Sequence, residues 1–322
     1  MENWKDKFRY DPLPKLLSTE SYAIRYFTRK KLLEEKVEPV KILWKLSEVE
    51  IILKKQQADN SWKYPSSKKD LRLQENYNQL ETYRQLGFLI EKYGFNNQHQ
   101  SIQKAAEYLF SFQSEEGDFR GIYGYQYSPN YTAGIMELLI KAGYNKDPRI
   151  EKGFNWLLSV RQDDGGWAVP IRTNNAKWSE VMDSDEILQP KRKKPFSYMI
   201  TGVVLRAFAA HPDFRNLEEA KLAGELLASR FFKADKYPDR KAVDYWFRVS
   251  FPFWFTDIIS SLDTLFYLGF PSSHSQIKMA LETLRDRQLE NGLWDLKLLK
   301  TKDKDLSLRI ALAICWIFKN YY

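Results

Sequence analysis

Apolar residues recur along this chain with helical spacing, in two distinct patterns. In the first they form one stripe. Ile102, Ala105, Ala106 and Leu109 make one such stripe, Ile150, Phe154, Leu157 and Leu158 a second, and Ile277, Ala280, Leu281 and Leu284 a third. Each stripe covers one face of a helix and leaves the other polar. In the second pattern the residues are apolar nearly all round, as from Met199 to Leu205 and from Ile310 to Phe318. Helices of this kind are predicted near 18–34, 74–93, 130–143, 196–210, 255–269 and 305–319. All-round apolarity calls for burial on every side. Striped helices alternating with buried ones predict an all-α fold, an α/α toroid with about six parallel inner helices and about five or six outer ones. Residues 1–322 are expected to form one domain, with 1–17 as an N-terminal extension.

The striped helices end in a shared turn. Gln57 leads to Trp62, Gln113 to Phe119, Gln162 to Trp167 and Gln288 to Trp294. Gly117, Gly165, Gly166 and Gly292 supply the permissive backbone that ends a helix, and the Asp and Asn residues suit tight turns. A Gln amide can meet the free backbone groups of a helix end while the aromatic ring covers it from water. The third and fourth copies lie more than twice as far apart as the others. A worn copy is therefore expected between them, where Leu222, Leu226, Leu227 and Phe231 lead to 236–239 without Gln or Trp.

Within 152–167 stand Phe154, Trp156, Leu157, Leu158, Gln162, Gly165, Gly166 and Trp167. This segment resembles the QW motif of squalene and oxidosqualene cyclases, and related repeats occur in protein prenyltransferase β-subunits. The stretch 246–269 is similar to parts of single-domain cyclase-like proteins. The resemblance covers roughly residues 40–320 and implies the toroid. It does not by itself specify a reaction, because the architecture also serves zinc prenyltransferases, polysaccharide-active enzymes and thioester proteins.

Class II terpene cyclases protonate an alkene or epoxide with an Asp of an Asp-x-Asp-Asp motif, inside an aromatic, water-free wall. The nearest match is Asp183, Ser184, Asp185 and Glu186, so the resemblance puts Asp185 in the donor's place with Asp183 beside it. Glu186 departs from the family's final Asp, and the chain lacks room for the family's second helical domain. The segment also runs from acids (Glu180, Asp183, Asp185, Glu186) to bases (Lys191, Arg192, Lys193, Lys194), which equally describes a solvated loop. Asp257, close to Phe253 and Trp254, is the other candidate acid, and it equally suits a helix cap. Asp257 and Asp263 stand about one and two-thirds turns apart and cannot both face one centre. Trp254, Trp246, Tyr198, Phe253 and Tyr131 are candidates for the wall. Arg206 would meet an anionic ligand or, like Arg309, a structural carboxylate.

Aromatic residues make up 15% of the chain, enough either to line an apolar cavity or to fill a thick helical core. Cys315 is the single cysteine, which excludes a disulfide framework and argues against a Cys-rich zinc site. His99, His211 and His274 fall in no evident ligand set, so no metal or cofactor is expected, with Mg2+ entering only if the substrate is a diphosphate. The net charge of +8 is scattered rather than striped, which argues against nucleic acid. The N-terminus lacks the apolar core of a signal peptide, and the best apolar stretch, 249–270, carries Asp257, Asp263 and Pro252. A cytoplasmic protein is expected, with attachment to a membrane surface left open. Together these features predict a terpenoid-cyclase-like protein that binds, cyclises or isomerises an isoprenoid in an apolar cavity by acid-initiated carbocation chemistry. The alternatives are a non-catalytic toroid that docks a protein and a carbohydrate-active α/α barrel.

Overall fold

The computed structural model describes residues 3–65, 76–177, 180, 181, 184, 186–299 and 303–322. In chain order the helices are α1 (Leu13–Ser18), α2 (Tyr22–Phe27), α3 (Ser47–Leu53), α4 (Tyr77–Tyr93), α5 (Gln100–Phe110), α6 (Pro129–Leu139), α7 (Pro148–Ser159), α8 (Pro170–Thr173), α9 (Tyr198–Ala210), α10 (Glu218–Ala228), α11 (Ile258–Tyr267), α12 (Ser275–Asp286) and α13 (Leu306–Tyr321). Among the described residues the named strands are β1 (Arg248–Val249) and β2 (Lys297–Leu298), which pair in parallel. The chain divides into two compact units, Val40–Ala223 and Met1–Pro39 with Gly224–Tyr322.

Local chemistry explains where the helices begin and end. Asn76 caps α4 by accepting from the Gln79 N–H at 2.9 Å, and Gly94, in the left-handed region at φ 64°, closes it. Asp147 caps α7, with Pro148 in the first turn, where its missing N–H costs nothing. The striped helices bury the predicted faces: Ile102, Ala105, Ala106 and Leu109 of α5 are fully inaccessible, as are Ile150, Phe154 and Leu157 of α7. α9 is buried almost all round, from Tyr198 to Ala209, and packs along α6 in the first unit.

The turns after α3, α5, α7 and α12 repeat one structure. A backbone N–H reaches the carbonyl four residues on: Gln57 to Ser61, Ser114 to Asp118, Gln162 to Gly166 and Leu289 to Leu293. The preceding side chain spans the same turn: Gln56 donates to the Asn60 carbonyl (3.1 Å), Gln113 to Gly117 (2.9 Å), Arg161 to Gly165 (2.9 Å) and Gln288 to Gly292 (3.5 Å). In the first turn the amide that spans to the carbonyl is that of Gln56, one residue before the expected Gln57, whose side chain accepts from the Ser61 hydroxyl instead. In the third turn Arg161 makes the local bond. That releases the Gln162 amide to the carbonyls of Lys191 and Lys194, at 2.9 and 2.8 Å. The other Gln amides also reach beyond their turns, to the carbonyls of Ser101, Arg149 and Tyr10.

The aromatic residues complete the turns. The indoles of Trp62, Trp167 and Trp294 donate to the carbonyls of Ile52, Leu157 and Leu284, each ten residues back, at 2.7 to 2.9 Å. These carbonyls lie in the last turns of their helices, where the regular i to i+4 bonding runs out. The backbone N–H groups of Trp62, Phe119 and Trp167 donate to the hydroxyls of Thr82, Thr132 and Thr201 on α4, α6 and α9. The worn copy is present too, in altered form. Arg230 bonds the Ala234 carbonyl across the turn, and the Trp246 indole donates to the Lys233 carbonyl at 3.0 Å, thirteen residues back. Trp246 has no accessible surface and covers this turn.

Residues 3–18 pack within their own unit. Trp4, Leu13 and Leu16 are buried, Phe8 packs on Phe318 with ring centres 4.6 Å apart, and the Gln288 side chain accepts from the Arg9 and Tyr10 N–H groups.

Candidate functional site

In the unit Val40–Ala223, α4, α6 and α9 carry charge into an apolar setting. Arg206 of α9 and Glu137 of α6 meet at 2.9 Å, with side chains only 5% and 8% exposed. Lys141, one turn past Glu137, binds it at 2.8 Å and Glu91 of α4 at 2.6 Å. Burial alone would push the Glu137 carboxyl up, but the Arg206 and Lys141 charges outweigh it and hold the group below its ordinary value. Burial also opposes the Lys141 charge, yet Glu137 and Glu91 keep its ammonium above the usual lysine value. Burial drives the nearby Tyr83 hydroxyl well above the ordinary phenol range. Gly134 makes room for that hydroxyl: a Cβ there would stand 2.6 Å from it. Tyr131 sits edge-on to both Tyr83 and Tyr123. A carboxylate held ionised in this way anchors helices and is a poor proton donor. Arg206 thus has the structural carboxylate partner that was one of its two readings, and Tyr131 joins it. Glu137 was legible only as a Glu and a Lys at i, i+4 inside an apolar helix.

Asp183 and Asp185 lie outside the described residues. Their flanks are firmly held. Gln126, 4% exposed, donates to the Glu186 carbonyl at 2.8 Å and accepts from the Leu188 N–H at 2.9 Å. Asn174 binds the Gln189 carbonyl, Thr173 the Lys191 N–H and Asp164 the Phe196 N–H. The side chains of residues 191–194 are exposed, as a solvated loop requires, but the backbone beneath them is pinned. The clamp formed by Gln126 carries no signature in the sequence.

In the other unit Asp257 is 1% exposed and opens α11. Its carboxylate accepts from the N–H groups of Ile259 and Ser260, at 2.9 and 2.8 Å, while the Ser260 hydroxyl accepts from the Asp257 N–H. This is a reciprocal capping box. Phe251 and Phe253 pack edge to face, and Phe253, Trp254 and Phe255 are half-buried, with the Arg240 guanidinium over the Phe255 ring. Tyr198, at 1% exposure, lies within the core of the first unit. Arg309 meets Asp303 at 3.6 Å. Among the described residues no three His, Cys, Asp or Glu side chains gather as a metal site, and no helix is long and apolar enough to cross a membrane.

Residues 77–186 match the family model of the squalene-hopene cyclase C-terminal domain. A probable squalene–hopene cyclase of Sinorhizobium fredii is 24% identical over 135 residues, 41% of this chain. The match spans about a fifth (20%) of that relative's length. Among solved structures, a protein from Actinoplanes is 14% identical with a TM-score of 0.46, over 88% of this chain and 87% of its own. A type II terpene cyclase from Scytonema, solved with geranylgeranyl dihydroxybenzoate, is 10% identical with a TM-score of 0.45, over 88% of this chain and 84% of its own. Likeness at that level carries no residue-by-residue correspondence. The family-model likeness to squalene-hopene cyclases therefore lies in residues 77–186, the stretch that carries α4 to α8.

Proposed function

We propose that this protein binds an isoprenoid in an apolar cavity and cyclises or isomerises it by proton transfer from Asp185, with Asp183 alongside. The proton adds to an alkene carbon, the neighbouring carbon becomes a cation, and loss of a proton elsewhere restores a double bond. A half-buried ring of the same unit, such as Tyr131, would stabilise the cation through its face. The observation that carries this reading is that the squalene–hopene cyclase match ends on the segment bearing both acids. The clamp of Gln126 on Glu186 and Leu188 supports it, because a proton donor must be held in place. Asp257 is the second choice of acid, since its carboxylate already serves two backbone donors. Mg2+ would take part only with a diphosphate substrate.

The test is incubation with squalene and with geranylgeranyl diphosphate, with and without Mg2+, followed by mass spectrometry of extracted products. Product from the unaltered protein that disappears in Asp185→Asn but persists in Asp257→Asn supports the assignment. Loss only in Asp257→Asn moves the acid. No product and no saturable binding of either compound overturns the proposal.

A further inference from the structure

A pocket of about 510 Å³ lies in the unit Val40–Ala223, apart from the charged cluster of α4, α6 and α9. It is lined by Glu116 of the turn after α5, Tyr127 before α6, Trp156, Ser159 and Val160 at the end of α7, and Gln189, Pro190 and Arg192. Its walls are fixed in advance. The Gln162 amide and the Asp163 N–H hold the backbone at 191–194, Asn174 holds Gln189, and the Tyr127 hydroxyl reaches the Gln189 amide oxygen at 3.4 Å. Trp156 and Tyr127 meet edge to face at 4.9 Å.

Trp156 differs from the other tryptophans of the repeat. Trp62, Trp167 and Trp294 each donate the indole N–H to a helix-end carbonyl, and Trp246 donates to the Lys233 carbonyl. The Trp156 indole, in a residue only 5% exposed, meets no acceptor among the described residues. It is not among the buried unpartnered atoms, so this N–H opens to solvent and is available to a ligand. The charges of the lining are already balanced: Glu116 pairs with Arg120 at 2.8 Å and Arg192 with Asp163 at 3.4 Å. An ionic ligand would find no uncompensated opposite charge. What remains is a mixed set of donors and acceptors: an indole N–H, an amide, a guanidinium edge, a carboxylate and a phenol oxygen. Hydroxyl groups, which both donate and accept, match that set. The volume lies within the range of small-molecule sites.

We infer that this pocket binds a neutral polyhydroxylated ligand, a sugar of one or two rings, through the Trp156 indole N–H, Gln189 and Glu116. The inference does not rest on the isoprenoid reading. The experiment follows the Trp156 indole resonance, identified by its loss in Trp156→Phe, in nitrogen–proton NMR of the full chain titrated with maltose and with methyl glucoside. Sodium acetate and phosphate are the charged controls. The expected result is a saturable shift with a sugar, not with the anions, and about tenfold weaker binding in Gln189→Ala and in Glu116→Gln. Glu116 is largely exposed, so Glu116→Gln is expected to fold. No saturable shift with either sugar overturns the inference, as do a response to the anions alone and unchanged binding in both variants.

Discussion

Arg206→Met tests whether the charged cluster of α4, α6 and α9 is an anchor. The change keeps the length of the side chain and removes the guanidinium 2.9 Å from Glu137. Removing one partner of a buried pair costs about 3–5 kcal/mol when the remaining charge is stranded. Glu137 is not stranded, because Lys141 stays 2.8 Å away with its side chain 34% exposed. The expected loss is therefore smaller, about 2–3 kcal/mol, near the worth of a charge-assisted hydrogen bond with its desolvated partner. Adding Glu137→Gln removes the excess negative charge and leaves Lys141 with Glu91. The double variant should recover about 1 kcal/mol relative to the sum of the two singles. Urea unfolding followed by circular dichroism at neutral pH measures this as a shift in midpoint at constant slope. A loss below about 0.5 kcal/mol for Arg206→Met, or strict additivity in the double variant, would refute the anchoring role.

The same cluster sets a pH dependence. The folded-state value of Glu137 is depressed, so its contribution is complete above the unfolded carboxylate value and is lost as pH falls below about 4.3. The Arg206→Met, Glu137→Gln protein should lose midpoint less steeply on acidification, and equal slopes would contradict this. Thr201→Val removes the hydroxyl that accepts from the buried Trp167 N–H, and should cost about 1–3 kcal/mol in the same unfolding assay. Thr201→Ser should cost far less. Gly134→Ala sets a Cβ 2.6 Å from the Tyr83 hydroxyl and should destabilise by about 1–3 kcal/mol, an effect eased in a Tyr83→Phe background. Cys315 has no accessible surface, and burial raises its thiol well above the ordinary value. A thiol reagent should therefore label one group in urea and none in the folded protein.

Much of the helical plan was legible in the residues themselves. The stripes of α5, α7 and α12 and the all-round apolarity of α9 follow from a periodicity of the backbone that operates within one or two turns. The repeated turn was legible for the same reason, since its bonds close within a few residues. Its register at the first copy was not. Gln56 and Gln57 are adjacent and chemically identical, and only the fold shows which one reaches back to the Asn60 carbonyl. Trp246 escaped because its indole closes the worn turn from thirteen residues away instead of ten. For Asp257 two readings stood side by side, until the N–H groups of Ile259 and Ser260 showed a cap.

The sequence alone determined the all-α class, the places of the helices and the helix-end turns, because each depends on neighbours along the chain. Tertiary structure decided the partners of the polar residues: Glu137 for Arg206, sixty-nine positions away, and the backbone of Val181, Glu186 and Leu188 for Gln126. Such choices are made when packing removes water and leaves each buried donor or acceptor only the partners that the fold brings within reach.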